Sequence, residues 1–253
     1  MIFVTGDIHG NPFPRVSTDA FPEQKEMTKD DFVIFCGDFG LVWSKDKESA
    51  QEKYFLDDLE NRNFTTLFCD GNHENFDRLN SYPVETWNGG KVHKLRPHVI
   101  HLMRGQVYTI DGQKFFVFGG ARSHDIRDGV LEPDDPRRKT WRHDYTKLYR
   151  VNHISWWEQE MPSQGEMEEG INNLEANDHK VDFIITHDMP SSDLTLFCAL
   201  YGNGFYKANM LNDYLEGIRA KTDYKRWFCG HYHDDRQINQ KEIVLYEQII
   251  RIS

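Results

Sequence analysis

Side chains that could bind metal ions follow five short apolar runs of this sequence. Most of these segments contain a glycine, which lets the backbone turn sharply. Two carboxylates, one amide oxygen and four imidazoles exceed the needs of a single tetrahedral zinc ion. The set suits two five- or six-coordinate divalent ions, such as Mn, Fe or Zn, that share a bridging carboxylate. The candidate residues, in chain order, are Asp7 and His9 in GDIHG, Asp38 in GDFG, Asn72 in GNHE, His187 in THD, and His231 and His233 in GHYH.

None of the five segments is decisive by itself. A D-x-H triplet is commoner as a turn than as a ligand pair, GHYH could be a surface loop, and a lone His187 is more often a capped or buried histidine. Five such segments, each directly after an apolar run, are an improbable coincidence. The sequence therefore favours a metal centre over a set of unrelated polar turns.

The apolar runs before these residues have the length and composition of buried β-strands. Because the ends of strands in an α/β sheet converge on one edge, such strands would gather the candidate ligands into one site. We also expect a hairpin between Val92 and Ile110 and one more strand-like run near the C-terminus, in IVLYEQIIRI. The predicted strands are Ile2–Thr5, Phe32–Cys36, Thr65–Cys69, Phe115–Phe118, Phe183–Thr186 and Arg226–Cys229.

Helical patterns occupy several segments between these strands. Apolar residues three or four positions apart predict helices over Ser49–Leu59 and Asn209–Ile218. A capping-box pattern, Ser-x-x-Glu, predicts a helix over residues 163–174, and we expect another helix to begin in Ile154–Glu160. The alternation of strands and helices indicates an α/β protein.

Length and charge narrow the class of protein. The chain has 253 residues and a formal net charge of -11, which disfavours non-specific binding to nucleic acid. We expect one domain over residues 1–253, with an irregular loop or lid around residues 123–141. The sequence shows no apolar stretch of about 20 residues and no signal-peptide pattern, so we expect no membrane segment and a cytoplasmic location. The four cysteines form no C-x-x-C pair, which is typical of small apolar residues in a reducing compartment.

The ordered set GDIHG, GDFG, GNHE, His187 and GHYH resembles the calcineurin-like metallophosphoesterases, and the resemblance runs from Asp7 to His233. It implies a two-sheet β-sandwich flanked by helices in αββα layers. It also implies a dinuclear site at the strand ends, with manganese favoured, where a metal-activated bridging water attacks a phosphate mono- or diester. In the resemblance, Asp7, His9 and His233 bind the first ion, Asp38 bridges both ions, and Asn72, His187 and His231 bind the second.

The resemblance gives the other polar residues of GNHE different roles. His73 is implied to lie beside the metals without binding them, and to give a hydrogen bond or a proton to the ester oxygen of the substrate. Glu74 is expected to be a structural group, since a carboxylate at the metals would compete with the substrate.

The sequence departs from the serine/threonine protein phosphatases of this superfamily just after Asp38. Those enzymes have Asp and Arg where this chain has Leu41 and Val42, in GDFGLVW. The carboxylate that would orient His73 and the arginine that would hold the phosphate are therefore missing from this stretch. The resemblance is to the bacterial-type branch, with a serine/threonine protein phosphatase as one alternative.

A non-catalytic metal-binding module is a second alternative, although such a protein would be expected to have lost ligands and none of the seven is lost. Arg122 and His124, in GGARSHD, are candidate contacts to the phosphate-ester substrate. The alternative for these two residues is a solvated turn. The sequence leaves open the natural substrate, the preference for mono- or diesters, and the oligomeric state.

Overall fold

The computed structural model describes residues 1–201 and 206–253, and most of the strands in these ranges belong to two large sheets. The first sheet has the strand order β15-β1-β2-β3-β6-β5-β4, and the second has the order β13-β14-β12-β11-β8-β7. A small parallel pair, β9 and β10, stands apart. The strands are β1 Ile2–Thr5, β2 Phe32–Phe35, β3 Thr65–Phe68, β4 Val84–Trp87, β5 Gly90–Arg96, β6 Val99–Leu102, β7 Gln106–Ile110, β8 Gln113–Phe118, β9 Gly129–Leu131, β10 Tyr149–Val151, β11 Phe183–Thr186, β12 Arg226–Cys229, β13 Arg236–Gln237, β14 Glu242–Val244 and β15 Ile249–Arg251.

Helices cover the outer faces of the two sheets. Those of the described residues are α1 Phe13–Val16, α2 Ala50–Glu60, α3 Phe76–Leu79, α4 Arg138–Trp141, α5 Gln164–Glu175, α6 Ser191–Tyr201 and α7 Met210–Lys221, with short 3-10 turns at Pro22–Glu26 and Glu158–Glu160. None of them has the length and apolar character needed to cross a lipid bilayer.

Alternate residues of the central strands face two different layers of the core. Val4 of β1 packs in the cluster that joins both sheets, together with Val117 and Ile185 of the second sheet. Phe3, its neighbour in β1, packs instead in the outer cluster that contains Leu56 of α2. A third cluster packs β8, β11 and β12 against α5 and α7. Because each of these strands is buried on both faces, its sequence is continuously apolar. The predicted αββα sandwich is confirmed.

The predicted helices over 49–59, 163–174 and 209–218 are α2, α5 and α7. Ser49 and Ser163 each accept a hydrogen bond from the backbone of the glutamate three residues later, and that glutamate bonds back to the serine N–H. Such reciprocal caps satisfy backbone donors that the first turn of a helix leaves free. Helix α6 carried no clear periodic pattern in the sequence and was not predicted.

One prediction of secondary structure was wrong and one was incomplete. The residues Ile154–Glu160 form turns that end in one 3-10 turn, because the backbone is extended at Trp157 (φ -136°, ψ 139°). The Trp157 ring is buried, and its Nε1 donates to Asp77, so this tryptophan fixes a loop instead of a helix face. The C-terminal run is also two strands: β14 pairs with β12 in the second sheet, while β15 pairs with β1 at the edge of the first.

The predicted hairpin between Val92 and Ile110 contains three strands. Strands β5 and β6 pair with each other, and β7 then leaves the first sheet to pair with β8 in the second. The segment 123–141 contains β9 and α4 between irregular turns.

The register of the parallel strands determines where the candidate site can form. Strands β1, β2 and β3 are parallel neighbours in the first sheet, and β8, β11 and β12 are parallel neighbours in the second. Their carboxyl ends therefore meet at one end of the sandwich, which is where open α/β sheets bind ligands.

Candidate metal centre

The seven predicted metal ligands meet at this end of the sandwich. Asp7 and His9 follow β1, Asp38 follows β2, Asn72 follows β3, His187 follows β11, and His231 and His233 follow β12. The donor atoms of six of them fall into groups within 4.8 Å of one another, of which one contains Asp7, His9 and His233, another contains Asp38, His187 and His231, and a third joins His9 and Asp38 to His73. The seventh, Asn72, lies 3.3 Å from Nε2 of His187. The structure thus brings together all the candidates that the sequence identified.

The first group converges on the carboxylate of Asp7. Its Oδ2 lies 3.4 Å from Nε2 of His233 and 3.9 Å from Nε2 of His9. The Nε2 atoms of the two histidines are 2.8 Å apart. Both imidazoles are partly exposed, with 31% and 47% of the side-chain surface of His9 and His233 accessible, so this group lies at the open rim of the site.

The second group lies deeper and is linked to the first through Asp38. Nε2 of His187 is 3.2 Å from Oδ1 of Asp38 and 3.3 Å from Oδ1 of Asn72. The other oxygen of Asp38, Oδ2, is 3.9 Å from Nδ1 of His9 in the first group. Asp38 therefore lies between the two groups, as a bridging carboxylate would.

Backbone strain is concentrated at these residues. His9, Asp38, His231 and His233 have φ angles of 45°, 41°, 69° and 50°, a region that costs side-chain-bearing residues free energy. Such strain persists only where the surrounding fold holds it, and it clusters at functional sites. At Gly230 a Cβ atom would come within 2.1 Å of Oδ1 of Asp7, so only glycine allows His231 to follow here.

The buried carboxylates of the cluster favour the binding of a cation. Asp7 and Asp38 are almost fully buried, with 1% and 2% of their surface exposed. Burial opposes the charge on His187, yet the two carboxylates raise the pKa of this imidazole to about 10. Burial also opposes the ionised form of Asp38, but His187 and neighbouring imidazoles hold its pKa well below the usual value. A cluster whose carboxylates attract a proton to a buried imidazole can bind a divalent cation instead of that proton. The N and O donors of the cluster fit Mn, Fe or Zn.

One candidate ligand, His187, has a clear supporting partner. Nδ1 of His187 donates a hydrogen bond to the backbone carbonyl of Cys36 at 2.7 Å. Metal-binding histidines generally donate their second N–H in this way, which fixes the ring so that the other nitrogen faces the ion. Nε2 of His187 is accordingly the nitrogen that faces Asp38 and Asn72.

His73 lies beside this cluster. Its backbone N–H donates to Oδ1 of Asp38 at 2.8 Å, and its ring is 5.1 Å from the ring of His9. Burial lowers the pKa of the His73 imidazole. The ring stacks on Trp43, with centroids 5.8 Å apart and planes 28° from parallel. No pattern in the sequence indicated a role for Trp43, which ends the stretch GDFGLVW.

The residues around His73 have structural roles. Glu74 is fully buried and accepts hydrogen bonds from the backbone N–H groups of Phe39 and Gly40 at 2.8 and 3.3 Å, so it holds the loop after Asp38. This is the structural role expected for Glu74. Leu41 and Val42 are buried in the outer core cluster and provide no charged group for a phosphate.

A buried hydrogen-bond chain orients Asn72. Its Nδ2 donates to Oγ of Ser123 at 3.3 Å, and Oγ of Ser123 donates to Oε2 of Glu160 at 2.6 Å. Because Nδ2 is engaged in this way, the Oδ1 atom of Asn72 faces His187. Neither Ser123 nor Glu160 was identified from the sequence, since they are 51 and 88 positions away from Asn72 and no local pattern links them.

Tyr246 supports the first group from the C-terminal segment. Its ring stacks on His233, with centroids 4.5 Å apart and an interplanar angle of 14°. Asp235 fixes this segment by accepting hydrogen bonds from the backbone N–H groups of Tyr246, Glu247 and Gln248 at 2.8, 3.0 and 3.1 Å. The sequence carried no signal for this contact.

Two cavities flank the cluster. One, of about 270 Å³, is lined by His73, Trp43 and neighbouring residues, and we call it the Trp43 pocket. The other, of about 360 Å³, is lined by His231, Tyr206 and neighbouring residues, and we call it the Tyr206 pocket. The predicted substrate contacts Arg122 and His124 both line the Tyr206 pocket, and the ring of His124 is 5.8 Å from that of His231.

Comparison with known proteins gives three findings. The calcineurin-like phosphoesterase family matches residues 1–235, a range that contains every candidate ligand. Lariat debranching enzyme A of Xenopus laevis is 27% identical to this chain over 204 residues. The match covers 76% of this chain and 33% of that protein, so the chain spans about a third of the length of this curated relative. The crystal structure of the phosphopantetheinyl hydrolase PptH from Mycobacterium tuberculosis aligns over 97% of this chain and 89% of that chain, with 13% identity and a TM-score of 0.40 that is too low to carry an argument.

Proposed function

We propose that this chain, which belongs to the calcineurin-like phosphoesterase family, is a metal-dependent hydrolase of phosphoester bonds that works with two divalent ions bound at the strand ends. The observation that carries this proposal is the position of Asp38 between two groups of N and O donors. In the proposal Asp7, His9, Asp38 and His233 hold one ion, and Asp38, Asn72, His187 and His231 hold the other. Manganese is our first choice of metal, because the donor set is mixed N and O without thiolate.

The ions supply the chemistry that the side chains lack, since divalent cations make water acidic enough to attack near neutral pH and offset charge that develops on phosphoryl oxygens. The chain's own residues hold the donors in place. The buried carboxylates, the Asn72 chain through Ser123, and the His187 bond to the Cys36 carbonyl fix the donor atoms before any ligand arrives. This preorganisation reduces the cost of ordering the site during the reaction.

His73 is the proposed proton donor. In the net reaction the oxygen of water bonds to phosphorus, the bond from phosphorus to the leaving oxygen breaks, and the leaving oxygen takes a proton from His73. The proton released by the water restores His73, so the products are an alcohol and a phosphate with one ester bond fewer. The stack on Trp43 and the backbone bond to Asp38 hold the imidazole at the edge of the cluster, where such a transfer is possible. Arg122 and His124 are proposed to contact the substrate on the other side.

Three coarser proposals accompany this one. We propose that residues 1–253 form one domain, because β15 near the C-terminus pairs with β1 and the family match spans both sheets. Residues 123–141 are proposed as a loop or lid beside the Tyr206 pocket, whose lining includes Ile126 and Arg127. A cytoplasmic location is supported by the four free cysteines, three of them buried, which is typical of a reducing compartment.

The direct test combines metal analysis with hydrolysis of simple esters. The protein is stripped with a chelator, reloaded with Mn²⁺ and assayed on p-nitrophenyl phosphate and bis(p-nitrophenyl) phosphate. We expect about two Mn²⁺ per chain and turnover only in the reloaded sample. Asp38→Asn should lose turnover and part of the bound metal, whereas Asp223→Asn, at an exposed position far along the chain, should do neither. One ion per chain at full activity would contradict the dinuclear site, and no turnover with Mn²⁺, Fe²⁺ or Zn²⁺ would contradict the proposed function.

A further inference from the structure

The two pockets differ in chemistry, and their positions relative to His73 give the substrate a direction. The Trp43 pocket contains the proposed proton donor His73, together with Trp43 and small polar residues such as Ser44. A proton donor must lie within reach of the oxygen that departs. The leaving alcohol therefore belongs in the Trp43 pocket, where the stacked rings of Trp43 and His73 offer a flat surface.

The Tyr206 pocket, which is lined by His231 and shares no lining residue with the Trp43 pocket, would then receive the group that stays on phosphorus. Three basic side chains line this pocket, those of Arg122, Arg127 and Lys207, and all three are exposed to solvent. One of them, Arg127, also pairs with Asp128 at 3.4 Å and donates to the backbone carbonyl of Thr146. The acidic residue of its lining, Asp188, is buried and already accepts hydrogen bonds from Tyr232 and the backbone of Met189. Three cations around one cavity stand out on a chain whose formal net charge is -11.

The surroundings of the basic residues favour an anion further. Helix α7 begins at this pocket, with its N-cap residue Asn209 in the lining, so the partial positive charge of a 12-residue helix adds to that of the side chains. The ring of Tyr206 lies 5.6 Å from that of His231 and lines the same pocket as the cations. A substrate that enters this pocket from the cluster can therefore pack against this ring.

We infer that the substrate is a phosphodiester, and this inference rests on the proposed function. The alcohol that stays on phosphorus carries a second anionic group, such as a phosphate, and this group binds Arg122, Arg127 and Lys207. Its leaving alcohol occupies the Trp43 pocket beside His73. A simple monoester would fill only one of the two pockets, whereas a diester of this kind uses both.

A matched pair of chromogenic diesters tests the inference. The first is the 5′-(p-nitrophenyl) phosphate diester of thymidine, and the second is the same compound with an added 3′-phosphate. Both release p-nitrophenolate from the proposed leaving-group side, so they differ only in the second anion. We expect the 3′-phosphate to raise kcat/KM about tenfold at low salt, which corresponds to about 1.4 kcal/mol, and to lose much of this gain in ~0.3 M salt.

Variants test whether the gain in kcat/KM from the 3′-phosphate comes from the Tyr206 pocket. In the double variant Arg122→Gln/Lys207→Gln the ratio of the two kcat/KM values should fall close to one. The control variant Lys180→Gln removes an exposed charge that precedes the amino end of β11, whereas the cluster lies at its carboxyl end. It should keep the wild-type ratio. Trp43→Leu should lower kcat/KM for both diesters by the same factor and leave the ratio unchanged, because it alters only the leaving-group side.

The outcomes separate this inference from the proposed function. A ratio near one in the wild-type protein, or an unchanged ratio in the double variant, would overturn the inference while turnover of the plain diester still supported the phosphoesterase. Absence of turnover of both diesters would overturn the proposed function itself. If the double variant does not fold, inhibition of the wild-type protein decides: thymidine 3′,5′-bisphosphate should inhibit about tenfold more strongly than thymidine 5′-monophosphate, and equal inhibition would refute the inference.

Discussion

The buried carboxyl group of Glu160 gives the protein a testable dependence of stability on pH. Only 1% of this residue is exposed, and burial raises the pKa of its carboxyl group from 4.5 to about 7, although hydrogen bonds from Ser123 act in the opposite direction. The folded state therefore keeps the proton to a higher pH than the unfolded state does. Stability is greatest below the unfolded pKa and falls as the pH rises through the folded pKa.

The size of this effect follows from the shift. One pKa unit corresponds to about 1.36 kcal/mol, so a shift from 4.5 to about 7 costs about 3 kcal/mol once the carboxyl group is ionised. Between about pH 5 and pH 8 the loss should be about 2.5 kcal/mol. Glu160→Gln keeps the shape of the side chain and an acceptor for the N–H of Ser123, but it cannot ionise. The variant should therefore lack this part of the pH dependence.

Urea unfolding of the metal-free protein, in excess chelator, measures the effect. The free energy of unfolding of Glu160→Gln, relative to wild type, should increase by about 2.5 kcal/mol from about pH 5 to pH 8. Glu158→Gln, an exposed glutamate in the same 3-10 turn, serves as the matched control and should follow the wild type. If wild type and Glu160→Gln lost stability in parallel over this range, the argument from burial would be refuted.

Three further predictions concern the site and its frame. His73→Ala should leave the amount of bound metal nearly unchanged and lower kcat by about 10² to 10⁴. Metal analysis and ester hydrolysis measure these two quantities. Loss of the bound metal in this variant would contradict the role of His73 as proton donor. Arg104→Met should cost about 3 to 5 kcal/mol in urea unfolding, since the buried Asp70, 2.8 Å from Nε of Arg104, would lose its cationic partner and keep only the imidazole of His101 at 3.1 Å. A loss below about 1 kcal/mol would contradict this. Tyr246→Ala should raise the dissociation constant of the more weakly held metal ion by up to about tenfold, because the Tyr246 ring stacks on His233. An unchanged dissociation constant in metal titrations would show that the stack does not support the site.

Matched controls exist for each of these substitutions. His143, Lys91 and Tyr145 are exposed, so changing them to Ala, Met and Ala, respectively, removes a histidine, a basic and a tyrosine side chain away from the site. The ion pair of Lys91 with Glu169 is exposed and should contribute less than about 1 kcal/mol.

The sequence by itself determined the central strands and the seven candidate ligands. A strand buried on both faces has to be continuously apolar, and its end has to carry the polar residues of the site, so runs such as Phe183–Thr186 followed by His187 can be identified without coordinates. Reciprocal helix caps are equally local, and for this reason α5 was predicted with its N-terminal boundary.

Only the tertiary structure decided which residues support the ligands and which pocket lies on each side of them. Trp43 on His73, Tyr246 on His233 and the Ser123 bond to Asn72 join parts of the chain that are 30, 13 and 51 positions apart. The apolar pattern that predicts a strand or a helix is a property of a few neighbouring residues. These contacts depend instead on how strand register and loop conformation bring distant segments together. No local pattern encodes that proximity, so the candidate ligands could be identified from the sequence whereas the groups that hold them in position could not.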